Sequence, residues 1–362
     1  MSLRKVQSLR SSISEMAASF SLGVLLAVSL VVLVAGLGLT SPVQASQKLA
    51  AQKRMVVNAM EYPWSTIGRL NAAGRAHCTG AMVSDRHVLT AAHCIYDAKT
   101  GRWLAPQELH FVAGYQFDEY KIHSKVKSYK KSSGYKPKNE ASARNTETDW
   151  ALLELTNPIG SQTGWLKLSG LTKEVIKRIN NRQSVLISSG YRAGASNAQT
   201  VDFNCLPPGE FKRTDGIAHR CFLQKGDSGS PLLLYDRSNF SIVGINVIGF
   251  ETDTRGVNDY VGALNALRFH PDNPKRDIKS SIGKLDFLWD NGTLPAAGSK
   301  ASVIPNQTIA ALLSREGYLI GKPRNAKPEA IEAAEKRFLR AKGKSKKRTK
   351  LQLLGDLILS LK

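Results

Sequence analysis

Of the 362 residues 42% are hydrophobic and 22% charged, which excludes a disordered or collagen-like chain. A single long apolar run excludes a polytopic membrane protein, and the length leaves room for one domain of roughly 200 residues and a smaller one. Lys and Arg number 51 against 29 acidic residues, a formal charge of +22 that favours anionic partners or surfaces.

Residues 1–45 read as an export signal. Arg4, Lys5 and Arg10 form a basic start, residues 16–47 carry no charge, and Val43-Gln44-Ala45 places small residues where a signal peptidase cuts, before Ser46. The expectation is a secreted or periplasmic protein with no membrane span after cleavage. The rival is an uncleaved anchor, since the apolar heart at 22–39 is long enough to span a bilayer. Four cysteines, an even number behind such a signal, fit two bridges. Residues 46–60 are expected to be a propeptide or N-terminal extension.

Residues 61–270 have the grain of an all-β domain. Short runs rich in Val, Ile and Leu recur at 87–89, 151–155, 184–187 and 242–248, separated by Gly, Ser, Asn and Asp. The Lys-rich stretch 121–148 reads as an extended surface loop. Residues 271–303, rich in Pro, Gly, Asn, Ser and Lys, read as a linker. In 304–362 the pattern turns helical. Asn306 or Thr308 can cap a first helix with Ile309, Leu312 and Leu313 on one face; Pro328 can open a second through Ile331, Ala334 and Phe338, with Gly343 as its stop; a third apolar stretch runs over 351–361. Basic residues outnumber acidic ones over 322–350, which reads first as a solvated face.

Three motifs in the β-rich domain carry chemistry. In Thr90-Ala91-Ala92-His93-Cys94 a strand runs into a short turn that would expose His93, and Asp149 stands at the mouth of the apolar run Trp150-Ala151-Leu152-Leu153. Gly226-Asp227-Ser228-Gly229-Ser230-Pro231 surrounds a serine with residues that allow tight turns. Hydroxyl, imidazole and carboxylate in the order His, Asp, Ser are the parts of nucleophilic acyl transfer. An α/β-hydrolase elbow is disfavoured, because Ser230 stands where that motif needs glycine and the acid precedes the serine.

These motifs resemble the trypsin and chymotrypsin family of serine endopeptidases. The resemblance implies two packed antiparallel β-barrels with the site in the cleft between them, followed here by a small α-helical C-terminal domain. It implies Ser228 as nucleophile, His93 as general base, Asp149 as the residue that orients it, and the N–H groups of Gly226 and Ser228 as oxyanion hole. It also implies bridges Cys78–Cys94 and Cys205–Cys221, protein or peptide substrates, and neither metal nor cofactor. Tyr62-Pro63-Trp64-Ser65 and His219-Arg220-Cys221 are similar to the glutamyl-endopeptidase-like secreted branch. That branch's acid-binding features are not all kept: Phe222 and Leu223 replace an Asp-Thr pair, and Asn246 stands about where a histidine would help bind a glutamate. Phe222 also takes the place of the carboxylate of trypsin-like pockets, and either lines the pocket or faces the core. Gly249 matches the edge that hydrogen-bonds an extended substrate. Asp227 resembles the carboxylate that pairs with a newly made amino terminus, Lys53-Arg54-Met55-Val56 resembles an activation junction, and a Lys or Arg is the alternative partner.

The tail, residues 304–362, resembles a peptidoglycan-binding three-helix module through Leu312-Leu313, Gly317-Tyr318-Leu319-Ile320-Gly321 and Phe338. Peptidoglycan or an anionic wall polymer is the partner this implies, and nucleic acid is disfavoured for an exported chain without an aromatic stacking platform. The alternative to an enzyme is a catalytically silent, protease-like binding protein of the cell envelope.

Overall fold

The structure, a computed structural model, describes residues 54–74, 76–120, 122–139, 145, 147–205, 216–247, 261–270, 285–344 and 348–361. The expected signal and most of the expected 46–60 extension lie outside the described residues. In chain order the strands of the first half are β1 (Met55–Val56), β2 (Ile67–Ala72), β3 (Ala76–Met82), β4 (His87–Thr90), β5 (Tyr96–Asp97), β6 (Arg102–Trp103), β7 (Leu109–Ala113), β8 (Ile122–Lys131) and β9 (Ala151–Leu155). Two short helices follow, α1 (Gly160–Thr163) and α2 (Lys173–Asn180), then β10 (Val185–Gly190), β11 (Thr200–Cys205), β12 (Gly216–His219), β13 (Pro231–Asp236), β14 (Asn239–Asn246) and β15 (Val261–Asn265). The tail carries α3 (Asn306–Arg315), α4 (Pro328–Ala341) and α5 (Lys350–Ser360).

Strands β2-β3-β4-β9-β8-β7 close into a barrel, filled by Leu70, Met82, Val88, Phe111 and Leu153 among others. Closure removes the sheet edges that would otherwise invite pairing with other chains. The second half is a seven-stranded antiparallel sheet in the order β1-β11-β10-β13-β14-β15-β12, open among the described residues, where a second barrel was expected.

The expectation for residues 121–148 is corrected. The Lys-rich stretch, expected to be a surface loop, holds β8, whose burial alternates: Ile122, Ser124 and Val126 face inward while His123, Lys125 and Lys127 face solvent. The barrel cannot close without it, because β8 bridges β7 and β9.

The described part of the expected linker, 285–303, runs along the sheet domain rather than away from it. Leu168 N–H donates to the Leu288 carbonyl at 2.7 Å, Trp165 and Thr293 exchange two 2.9 Å bonds, and Tyr62 N–H reaches the Ser302 carbonyl at 2.8 Å. The tail helices then complete one hydrophobic cluster with the second sheet, in which Trp64, Phe203, Tyr235 and Phe240 meet Ile309, Leu313, Phe338 and Leu357. The N-terminus of α3 is capped neither by Asn306 nor by Thr308. Glu61 does it, accepting from the N–H groups of Gln307 at 2.6 Å and Thr308 at 3.0 Å and from the Thr308 hydroxyl at 2.7 Å. No helix among the described residues is long and apolar enough to cross a membrane.

Candidate active site

His93 sits on a 3-10 turn, Ala92–Ile95, that breaks out of β4. The next residue, Cys94, is bridged to Cys78 on β3 with a Cα–Cα distance of 6.0 Å, which ties the turn to the barrel wall. Asp149 stands two residues before β9, the partner of β4, and is 6% exposed. Its two oxygens hold His93 twice: Oδ1 accepts the backbone N–H at 2.9 Å and Oδ2 lies 2.6 Å from ring Nδ1. With Nδ1–H donating to the carboxylate, the neutral ring carries its lone pair on Nε2, the tautomer a general base needs.

Ser228 occupies a tight turn between the two halves. Thr79 of β3 donates its N–H to the Ser228 carbonyl at 2.9 Å and its hydroxyl to the Gly226 carbonyl at 2.8 Å. Gly229 N–H donates to the Asn246 carbonyl of β14 at 2.8 Å, so the turn is clamped from both sheets. Cys94 Sγ lies 3.6 Å from the Ser228 carbonyl oxygen, which brings the His93 turn against the serine. Gly226 has φ +93°, and a Cβ there would come within 2.3 Å of the Tyr191 carbonyl and 2.6 Å of His77 Nε2, so only glycine fits.

The amides of this turn divide into two sets. Those of Asp227, Gly229 and Ser230 donate to Gln224, Asn246 and Asp227 carbonyls. Those of Gly226 and Ser228 donate to no protein group among the described residues, which leaves two N–H groups on either side of Asp227 uncommitted.

Behind the serine, the expected pocket residues divide. Asn246 is 1% exposed and its amide is fully used: Oδ1 lies 2.8 Å from His219 Nε2, while Nδ2 donates to the Ser188 hydroxyl at 3.0 Å and the Ser230 hydroxyl at 2.9 Å. His219, entirely buried, accepts the Cys221 N–H at its Nδ1, and desolvation pushes the imidazole down to about 4. Phe222 is half-buried and is not part of the clusters around β10–β14, whereas its neighbour Leu223 packs against them. Its backbone is pinned, N–H to Asp202 at 3.1 Å and carbonyl to Arg54 at 2.7 Å. Gly249 lies outside the described residues. Cys205 and Cys221 are bridged across this region, with Cα atoms 4.5 Å apart.

Two Cys-His-Cys groups, Cys78/His93/Cys94 and Cys205/His219/Cys221, bring ligand-type atoms within 4.8 Å of one another. Their sulfurs are spent in disulfides and offer no thiolate to a metal.

Sequence reasoning named Asp227 but left its partner open between an amino terminus and a basic side chain. The structure gives Arg54, whose guanidinium lies 3.0 and 3.1 Å from the two carboxylate oxygens. The signal was the Arg54-Met55 junction itself, read as a cleavage site rather than as a salt-bridge donor. Thr79, whose hydroxyl holds the Gly226 carbonyl, carried no recognisable signal, and Thr90, although part of the Thr90-Ala91-Ala92-His93-Cys94 motif, was given no role of its own, while its hydroxyl donates to the Thr79 carbonyl.

Among curated proteins, the glutamyl endopeptidase of Bacillus licheniformis is 28% identical over 191 residues, 52% of this chain and 55% of that protein. Serine protease 23 of Homo sapiens is 51% identical over 41 residues, 11% of this chain and 10% of that protein. The chain thus spans about half the length of the first of these relatives and a tenth of the other. A solved Glu endopeptidase structure has a TM-score of 0.47 at 20% identity, covering 59% of this chain and 90% of its own. The protease Anisep from Arthrobacter nicotinovorans has a TM-score of 0.43 at 16% identity, covering 59% and 93%. The family model for Trypsin matches residues 54–266, more than half of the chain and the whole stretch that carries His93, Asp149 and Ser228, and the chain therefore belongs to the trypsin family.

Proposed function

We propose that the protein is an exported serine endopeptidase. Ser228 Oγ attacks the scissile carbonyl of a peptide while His93 Nε2 takes the hydroxyl proton; the tetrahedral oxyanion is held by the Gly226 and Ser228 amides. Collapse passes the proton to the leaving amine and leaves an acyl-enzyme, which a water activated by His93 then hydrolyses. The observation that carries this reading is the pattern of amides around Ser228. Among the described residues every backbone N–H from 227 to 230 except that of Ser228 is engaged, and the Gly226 N–H near it likewise has no protein acceptor, as an oxyanion site requires.

Export rests on the basic, apolar and small-residue order of 1–45 and on two disulfides, which persist in oxidising compartments. Attachment to the cell wall rests on less, namely the 312–321 pattern and the basic excess of 322–350, because the apolar faces of α3–α5 are occupied by the sheet domain. The deciding experiment is labelling of the purified protein with a fluorophosphonate, followed by peptide mapping. The label is expected on Ser228 and absent from Ser228→Ala; an unlabelled wild-type protein that also leaves a mixed peptide library intact returns the chain to the silent binding class.

A further inference from the structure

Arg54 is buried with its side chain at 0% exposure, and all five of its N–H donors are engaged. Nε donates to the Thr200 hydroxyl at 3.0 Å, and Nη2 to the Thr200 carbonyl at 2.9 Å and Asp227 Oδ1 at 3.1 Å. Nη1 donates to Asp227 Oδ2 at 3.0 Å and to the Phe222 carbonyl at 2.7 Å. Asp227 Oδ2 in turn accepts the Gln224 N–H at 3.0 Å. One side chain therefore fixes both ends of 222–227, the segment that aims the Gly226 and Ser228 amides, and braces it against β11. The register Met55↔Val201 and Val56↔Thr200 locks the residues after Arg54 onto the same strand.

Charge requires this partner. Burial pushes the Asp227 carboxyl up, and Arg54 and the Gln224 N–H work against that rise. A carboxylate buried at this depth without this pairing is strongly disfavoured, and its neighbours rearrange to rehydrate it.

We infer that Arg54 is the positioning residue of the oxyanion loop, and that this internal guanidinium, not an α-amino group freed by cleavage, holds the site in its working form. The proposal rests on Ser228 as nucleophile. It reverses the expected role of the Arg54-Met55 junction. A cut there separates the guanidinium from the strand that carries it and leaves the new amine of Met55 a side-chain's length from the carboxylate, so the cut inactivates.

The test uses the chain with the residues ahead of Arg54 attached and a folded domain fused before them, so that no free amine lies near Asp227. This form is expected to turn over a small peptide ester with the same kcat as the unfused chain. Arg54→Ala is expected to lose about 10²-fold in kcat with KM changed far less, as for loss of an oxyanion donor. Millimolar methylguanidinium is expected to restore part of that loss, and Arg54→Lys to fall between the two. A fused wild type that stays silent until it is cut between Arg54 and Met55 overturns the proposal and leaves the nucleophile intact. So does Arg54→Ala at wild-type kcat, or a folded Arg54→Ala that methylguanidinium does not rescue. If Arg54→Ala does not fold, the fused and unfused wild-type chains still decide. A wild type unreactive to fluorophosphonate before and after the cut sinks the nucleophile assignment, and this proposal with it.

Discussion

At the scale of single residues, the site depends on groups whose polar atoms are nearly all assigned. Asp149 uses both oxygens on His93, so Asp149→Asn loses an acceptor and presents an N–H to the ring, favouring the tautomer with Nε2 protonated. The expected outcome is a fall in kcat of roughly 10⁴-fold with the melting temperature little changed, and Ser228→Ala or His93→Ala near background, read by steady-state peptide hydrolysis. His219 gives a different prediction. Its folded value of about 4 lies below the ordinary histidine value of 6.5, so between these pH values the unfolded chain binds a proton that the native chain refuses. Stability is then full above pH 6.5 and falls as the pH drops towards 4, by on the order of 3 kcal/mol. Urea midpoints from pH 7 to pH 4 should show this slope in the wild type, and a flatter one in His219→Gln, whose amide keeps a donor for Asn246. A wild type and variant with equal slopes would disprove it.

At the scale of elements, legibility followed contrast between residue types. Strands β4 and β9 were readable because His87-Val88-Leu89 and Ala151-Leu152-Leu153 are nearly continuous apolar runs, bounded by turn residues. The residues proposed as the triad stood out for a related reason: reactive side chains need fixed local backbone, and Gly226 and Cys94 leave that requirement in the sequence beside them. β8 was not readable, since a serine, Ser124, stands among its inward positions, a register shift after Val126 breaks the alternation, and Lys125, Lys127 and Lys130 dominate its composition. Its inner face is decided by barrel closure, a long-range fact. The cap on α3 escaped for the same reason, as Glu61 lies 246 residues before Gln307. Arg54 escaped too, lying 173 positions before Asp227. The β8 assignment makes a prediction with its own control. Val126→Asp places a charge in the barrel and should cost about 3 kcal/mol or more, whereas Lys127→Ala, on the outer face, should stay within about 0.5 kcal/mol. Urea titration compares them directly, and equal costs would mean the strand is not there.

At the scale of the whole molecule, the tail is joined to the sheet domain by core packing as well as by polar contacts. Trp64 donates its indole N–H to the Thr308 hydroxyl at 3.1 Å and stacks edge-on against Phe203 and Phe240. α5 passes so close to β13 that a Cβ on Gly355 would lie 1.7 Å from the Tyr235 hydroxyl. Uncovering a large apolar side chain costs roughly 1.5–3 kcal/mol, so exposing Trp64, Tyr235, Phe240 and their neighbours together approaches the whole 5–15 kcal/mol that holds a typical domain folded. A chain ending at residue 303 is therefore expected to lose solubility, cooperative unfolding and fluorophosphonate labelling together. Catalysis and the tail are then inseparable, even if the basic stretch of 322–350 also meets an anionic surface. Two point variants apply the same reasoning without deletion. Glu61→Ala strips α3 of three hydrogen bonds and should cost about 2 kcal/mol, and Gly355→Leu forces α5 off Tyr235 and should cost more. Should the 303-residue chain melt and label like the full one, the shared core is not what stabilises the sheet, and the tail is an appended module after all.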